Sequence, residues 1–255
     1  MKLFLVPLFL LFFSPLFSQR YIDGFADARN VIKINLSSLT TSTFSFQYER
    51  ALTSRVSLLL GVKFRPAAAI PFKSIIKHFL DTTSAKSFTD FVNNAKIESF
   101  AVTPEIRFYY GRGPSSGFYL APFARFESNY LRPWQYTFVS LGKPVLVDFT
   151  ARQTGIGGGL QLGALFVLSD KISLDLWLAG PYVFANKITV ASKTDLSNNT
   201  EQELSDIRKD IETFSNDYLP GHTAKVTVTS NGAFVVAKGA ALGIRTLGVA
   251  IGLRF

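Results

Sequence analysis

The sequence predicts an all-β fold, an eight-stranded antiparallel up-and-down transmembrane β-barrel with long extracellular loops containing short helices and a hairpin. Three observations point to it. Mean hydropathy is +0.22 with 47% hydrophobic residues, high for a chain wholly exposed to water. Past residue 18 there is still no run resembling the roughly 18–20 apolar residues of a helical span. The longest uncharged stretch there, Gln153–Ser169, contains five glycines. Finally, apolar residues recur with period 2, which is the period of a strand.

The first residues read as an address. Lys2 precedes the apolar run Leu3–Phe13, broken only by Pro7, and Ser14-Pro15 and Ser18 follow. This predicts a signal peptide over 1–18, with an imperfect cleavage site because Leu16 stands where a small residue is usual. The barrel domain is then expected over 19–255. The absence of cysteine excludes disulfides, thiolate metal sites, a cysteine nucleophile and a lipid-bearing cysteine. The net charge of +9 is scattered along an exported chain. It suits anionic lipid headgroups or an acidic partner, and no nucleic acid is expected.

Each strand can be argued from its two faces. Eight are read, at 30–37, 43–52, 55–66, 97–110, 117–131, 147–168, 171–188 and 240–255. In the third, Val56, Leu58, Leu60, Val62 and Phe64 oppose Ser57, Gly61, Lys63 and Arg65. In the fourth, Phe100, Val102, Pro104, Ile106 and Phe108 oppose Ser99, Ala101, Thr103, Glu105 and Arg107. In the fifth, Phe118, Leu120, Pro122, Ala124 and Phe126 oppose Arg125, Glu127 and Asn129. The seventh sets Ile172, Leu174, Leu176, Leu178 and Tyr182 against Ser173, Asp175 and Ala179. The last sets Leu247, Val249, Ile251, Leu253 and Phe255 against Gly248, Ala250, Gly252 and Arg254.

Length separates these strands from those of a soluble sandwich, since a membrane strand needs about 9–11 residues. Aromatics at strand ends (Phe108-Tyr109-Tyr110, Tyr130 with Trp134, Tyr182 with Phe184) read as interfacial girdles. With a periplasmic N-terminus the inner turns become Thr53-Ser54, Arg112–Ser116 and Ser169-Asp170, all short. The outer connections become 38–42, 67–96, 132–146 and 189–239, mostly long. Edges exposed to lipid would leave backbone groups unpaired, so the strands must close. In the sixth strand Asp148, Thr150 and Arg152 share a parity with Leu160, Leu162, Ala164 and Phe166. Either a bulge at Gly155–Gly159 flips the faces, or the upper part stands above the membrane, where alternation is unconstrained.

Lys33-Ile34-Asn35, then Phe46-Gln47-Tyr48-Glu49-Arg50-Ala51-Leu52, then Ser57 and Gly61 resemble the opening of small Bacteroidota outer-membrane barrels. That family is catalogued as a domain of unknown function and is of the OmpA/OmpX-like eight-stranded kind. The closing strand Gly248–Phe255 resembles the assembly signal of outer-membrane barrels, with Phe255 as its terminal aromatic. The resemblance covers the strands, about half the chain. It implies a Gram-negative outer-membrane location with periplasmic termini, and no activity. The lipids around it would include lipopolysaccharide, and the barrel assembly machinery would insert it.

The predicted lumen collects Lys33, Glu49, Lys63, Glu105, Arg107, Arg125, Glu127 and Asp175, four acids and four bases. An eight-stranded barrel is just wide enough for side chains to fill, so a paired structural interior is expected, with a narrow channel as the alternative. Of the two histidines, His78 and His222, neither sits in a recognisable nucleophile arrangement. No catalytic residues, metal or cofactor are therefore expected, an outer-leaflet lipid-modifying enzyme being the alternative. Gly155-Ile156-Gly157-Gly158-Gly159 lacks the spacing and following lysine of a nucleotide loop. Thr82 in Asp81-Thr82-Thr83 is a candidate O-glycosylation site.

Thr200 and Glu203 form a capping box, followed by Leu204, Ile207, Ile211 and Phe214 at helical spacing. Asn231-Gly232 marks a hairpin turn. The apolar faces of the helix and hairpin, with Ile75, Ile76, Phe79, Leu80, Phe88, Phe91 and Val92 of the 67–96 loop, either cover the barrel mouth and each other or dock onto a partner at the cell surface such as another outer-membrane protein. The expected function is that of a non-enzymatic barrel presenting these loops as an accessory subunit, scaffold or surface-interaction element.

Overall fold

The structure is a computed structural model that describes residues 28–71, 73, 93–111, 115–140, 143–218, 221–245 and 247–255. The signal peptide over 1–18, His78, Thr82, the apolar set from Ile75 to Val92, and the side chains of Trp134 and Phe214 lie outside the described residues.

Among the described residues ten strands and two helices follow one another: β1 (Asn30–Asn35), α1 (Leu36–Leu39), β2 (Phe44–Ala51), β3 (Val56–Ala69), β4 (Lys96–Tyr109), β5 (Gly117–Ser140), β6 (Lys143–Val167), β7 (Ile172–Lys193), α2 (Glu201–Tyr218), β8 (His222–Thr229), β9 (Gly232–Arg245) and β10 (Gly248–Arg254). Every neighbouring pair from β1 to β7 is antiparallel. β10 pairs with both β7 and β1, which closes the ring. β9 continues β10 upward along the same strand, pairing from Gly180↔Arg245 to Ala191↔Phe234. The barrel therefore has eight staves, the last of them β9 and β10 in tandem.

The faces follow the predicted parity in the lower barrel. Ile32, Phe46, Leu58, Leu60, Phe64, Phe100, Ile106, Phe108, Phe126, Ile251 and Leu253 all lie outward and exposed, while their neighbours in sequence are buried or half-buried. This inverts the arrangement of a protein with an apolar core: the largest fully buried side chains include Arg107, Lys33, Gln161 and Glu49.

Several expectations are corrected. β5 runs to Ser140 and β6 starts at Lys143, so 132–146 is a hairpin extending the wall and not an irregular loop. β7 likewise reaches Lys193, and β9 starts at Gly232. Beyond the apolar band the hydrophobic alternation fades, yet backbone hydrogen bonding continues, so periodicity ends before the strand does. The 38–42 connection is preceded by helix α1, whose N-cap Asn35 accepts a hydrogen bond from Ser38 N (3.1 Å).

No bulge occurs at Gly155–Gly159. The β5–β6 register is unbroken from Gly117↔Leu165 to Leu131↔Ala151, so Arg152 and Asp148 face outward like Leu160, but higher on the wall. The slip lies in β7 instead: Leu162 pairs with Ala179 and Gly163 with Trp177, leaving Leu178 extra. That bulge turns Tyr182 and Phe184 inward, against the girdle expectation. Tyr109 also faces inward, 2% exposed, because it continues the parity of Glu105 and Arg107.

The glycine run makes room for those turned aromatics. A Cβ at Gly157 would lie 2.4 Å from Phe184 Cβ, and one at Gly159 would lie 2.5 Å from Tyr182 Cβ. Tyr182 also crosses Gly243, and Trp177 crosses Gly248. Close packing leaves no space there for a methyl group.

Candidate functional site in the lumen

The structure turns all eight predicted lumen residues inward, and it arranges them in tiers. The lowest tier is a closed ionic plug. Lys33 Nζ donates to Glu49 and to Asp175 Oδ2 (2.6 Å). Arg107 Nη1 donates to the same Asp175 oxygen (2.6 Å) and to Glu49 Oε2 (3.3 Å). Tyr109 donates its hydroxyl proton to Glu49 (2.6 Å) and Tyr119 to Asp175 (2.9 Å). Ser57 and Ser115 complete the shell of Glu49. The Arg107 guanidinium also lies 4.2 Å from the Tyr119 ring centre. The side chains of Lys33, Glu49 and Asp175 are 0% exposed.

The tier follows from register. Val31↔Arg254 and Val31↔Glu49 place β10, β1 and β2 side by side, and Ser57↔Arg107 brings β3 to β4 at the same level. With Tyr119 of β5 and Asp175 of β7, six strands deliver the side chains of the plug to one cross-section. Buried charges are tolerated here because each carboxylate accepts several hydrogen bonds.

Above it, Glu105 links two arginines: Arg107 Nε (3.2 Å) and Arg245 Nη1 (2.6 Å). Arg245 stacks on Phe123 at 4.8 Å from the ring centre. Higher still, Arg125 Nε pairs with Glu127 (2.8 Å) and Arg125 Nη1 reaches Thr103 (3.2 Å). Tyr182 also donates to Glu127 (3.4 Å). At this level the lumen widens into a cavity of about 560 Å³ lined by Lys63, Arg65, Arg125, Glu127, Arg245 and polar side chains of the β1–β2 connection.

The expected balance of four acids and four bases does not hold. Arg65, Arg245 and Arg254 also point inward and were missed as members of the cluster. Arg65 and Arg254 occupy the polar parity of their strands, so the alternation already carried that signal. Arg245 sits where β9 gives way to β10, and no period marks it.

The loop residues fall outside the lumen. The capping box forms: Thr200 N donates to Glu203 Oε2 (2.7 Å) and Glu203 N to Thr200 Oγ1 (3.3 Å). Leu204, Ile207 and Ile211, expected as the possible partner-facing face of the helix, pack half-buried against Leu196, Val226 and Val228, as do Ala233 and Val235. The helix surface left in solvent is charged, with Asp206, Lys209 and Asp210 exposed. His222 Nε2 lies 2.5 Å from Asn186 Oδ1. Phe255 exchanges backbone hydrogen bonds with Asn30 (2.9 Å each way), and its ring stays exposed at the seam where the barrel closes. Among the described residues no cluster of three His, Cys, Asp or Glu side chains could hold a metal. No helix among them is long and apolar enough to cross a membrane, which says nothing about a β-barrel.

A family model described as "Protein of unknown function (DUF3575)" matches residues 8–205. The comparison with curated proteins found no match. Two solved structures align over most of their length. One is the N-terminal β-barrel domain of Pseudomonas aeruginosa OprF, with 10% identity, 89% of this chain and 98% of that chain covered, and a TM-score of 0.24. The other is a major outer membrane protein from Thermus thermophilus, with 11% identity, 89% and 99% covered, and a TM-score of 0.34. Both superpositions are loose, and the barrel rests on this chain's own strand pairing.

Proposed function

Since the chain belongs to the DUF3575 family, whose description assigns no activity, we propose from its geometry that it is a non-enzymatic integral outer-membrane barrel. Its role is to hold a structured canopy at the cell surface, as an accessory subunit, scaffold or surface-interaction element. The observation that carries this reading is the inverted architecture: apolar side chains ring the outside, while an ionic plug fills the lower lumen. A wall of that kind belongs in lipid, and a closed ring satisfies its backbone there.

The tall staves β5, β6 and β7, of 24, 25 and 22 residues, exceed the about 9–11 needed to span. Their upper parts, with α2, β8 and the part of β9 that pairs with β8, stand clear of the membrane and form the canopy. Asn30 and Phe255 meet at the opposite end, which faces the periplasm. Lipopolysaccharide and other outer-membrane lipids surround the wall, the barrel assembly machinery inserts it, and a second outer-membrane protein meets the canopy on its charged face.

Two measurements test this. The chain has no cysteine, so Asp210→Cys offers one thiol on the canopy helix. A membrane-impermeant maleimide should label it in intact cells; labelling only after lysis would reverse the orientation. Purified protein in planar bilayers should show no steady conductance, and a stable ohmic current would replace the closed plug with a channel.

A further inference from the structure

We propose that the vestibule above the plug is a binding site for a phosphate-type oxyanion. Four cationic side chains line the cavity, Lys63, Arg65, Arg125 and Arg245, against a single carboxylate, Glu127, among the described lining residues. Two of the cations are taken: Arg125 by Glu127 and Arg245 by Glu105 beneath. Arg65 gives one guanidinium nitrogen to the Ala69 carbonyl, and its Nε is buried with no acceptor. Lys63 has no ion pair among the described residues, and the charges that act on it are those of Arg125, Glu127, Arg65 and Arg245.

The surplus is therefore local, and the plug cannot neutralise it because Glu49 and Asp175 are already fully engaged. A half-buried cation without a partner is costly, and an oxyanion carrying two charges and several acceptor oxygens removes that cost. Arginine offers paired donors to phosphate and lysine a mobile third. Low-dielectric walls focus the potential into the cavity. The closed floor makes this a dead end, so the anion binds and leaves on the same side.

Two sources can supply such a group. One is a dissolved phosphate ester entering by the mouth. The other is a lipid phosphate entering from the side, where Ala240–Arg245 of β9 pairs with β7 on one edge, and on its other edge β8 reaches no further than Gly239. β1 resumes the wall only at Ala250, and Ile244 and Leu247 of that stretch line the cavity.

The experiment is calorimetric titration of the folded full chain in detergent at low salt, with inorganic phosphate as probe. One saturable site is expected. Lys63→Gln should weaken it at least tenfold, Lys63→Arg should retain it, and Glu127→Gln, which releases Arg125, should tighten it severalfold. Glucose 1-phosphate competing marks the dissolved source; nanodiscs containing phosphatidic acid competing marks the lipid source. No saturable phosphate binding, or binding indifferent to both Lys63→Gln and Glu127→Gln, overturns the site. Heat-shifted gel migration checks folding of each variant, and Glu127→Gln, which adds no buried charge of its own, keeps the test alive if Lys63→Gln does not fold.

Discussion

The lower and upper lumen use the same residue types toward opposite ends. Below, Lys33 and Arg107 share Glu49 and Asp175, and two tyrosines and two serines take up remaining acceptor sites. Above, cations outnumber acids, hydrogen bonds are fewer, and a cavity of about 560 Å³ remains. Burial alone does not separate them, since Arg65 is only 7% exposed. What separates them is open volume beside the cations. Around Glu49 and Asp175 the side chains fill the lumen, even though Arg254 at that level keeps Nε and Nη1 without partners among the described residues, while the upper level leaves a cavity with room for a ligand.

Asp175→Asn puts this contrast to its hardest test. It leaves Glu49 as the one carboxylate that Lys33 and Arg107 share, with Glu105 still on Arg107 Nε, and removing a partner from a buried pair costs about 3–5 kcal/mol. Urea unfolding followed by heat-shifted gel migration should show that loss. Lys63→Gln, read the same way, should be neutral or stabilising, because it removes an unpaired cation. Equal losses in the two variants would erase the distinction between seal and vestibule.

A second pair of variants probes packing. At Gly163 a Cβ would sit 2.3 Å from the Tyr119 hydroxyl, pushing it off Asp175, whereas at Gly61, beside the cavity, the nearest atom is 3.5 Å away. Gly163→Ala should destabilise by about 1–3 kcal/mol, as overpacking does. Gly61→Ala should change little.

The smallest effect belongs to the canopy. Thr200→Ala removes one half of the capping box and should weaken α2 locally by about 1 kcal/mol. Hydrogen exchange of the first helical turn should rise while barrel unfolding stays unchanged. A shift in barrel unfolding would mean that canopy and barrel form one cooperative unit.

Wherever lipid-facing and lumen-facing requirements alternate, the linear chain already reveals the wall. The period of β3, β4 and β10 placed Ser57, Lys63, Glu105, Arg107 and Gly252 inward without any knowledge of neighbours. The same reasoning failed in β7, because a single extra residue at Leu178 inverts every face beyond it, and the local signal beside it, Gly180-Pro181, does not by itself say which residue is extra. It also failed for the length of β5 and β6, since above the apolar band strand pairing persists with no polarity rule to reveal it.

The barrel, its stave count and the inward charges are all written in the order of residues, since they follow from a repeat of two along each strand. Which charges meet is settled in three dimensions alone. Lys33 and Asp175 are 142 positions apart, and Arg245 and Glu105 are 140 apart. Their pairing depends on the register of strands that are distant in the chain, and register is set by closure of the whole ring. The surplus of cations above the plug emerges at the same step: a sequence can count charges on a face, but only the closed barrel assigns each one to a level and a partner.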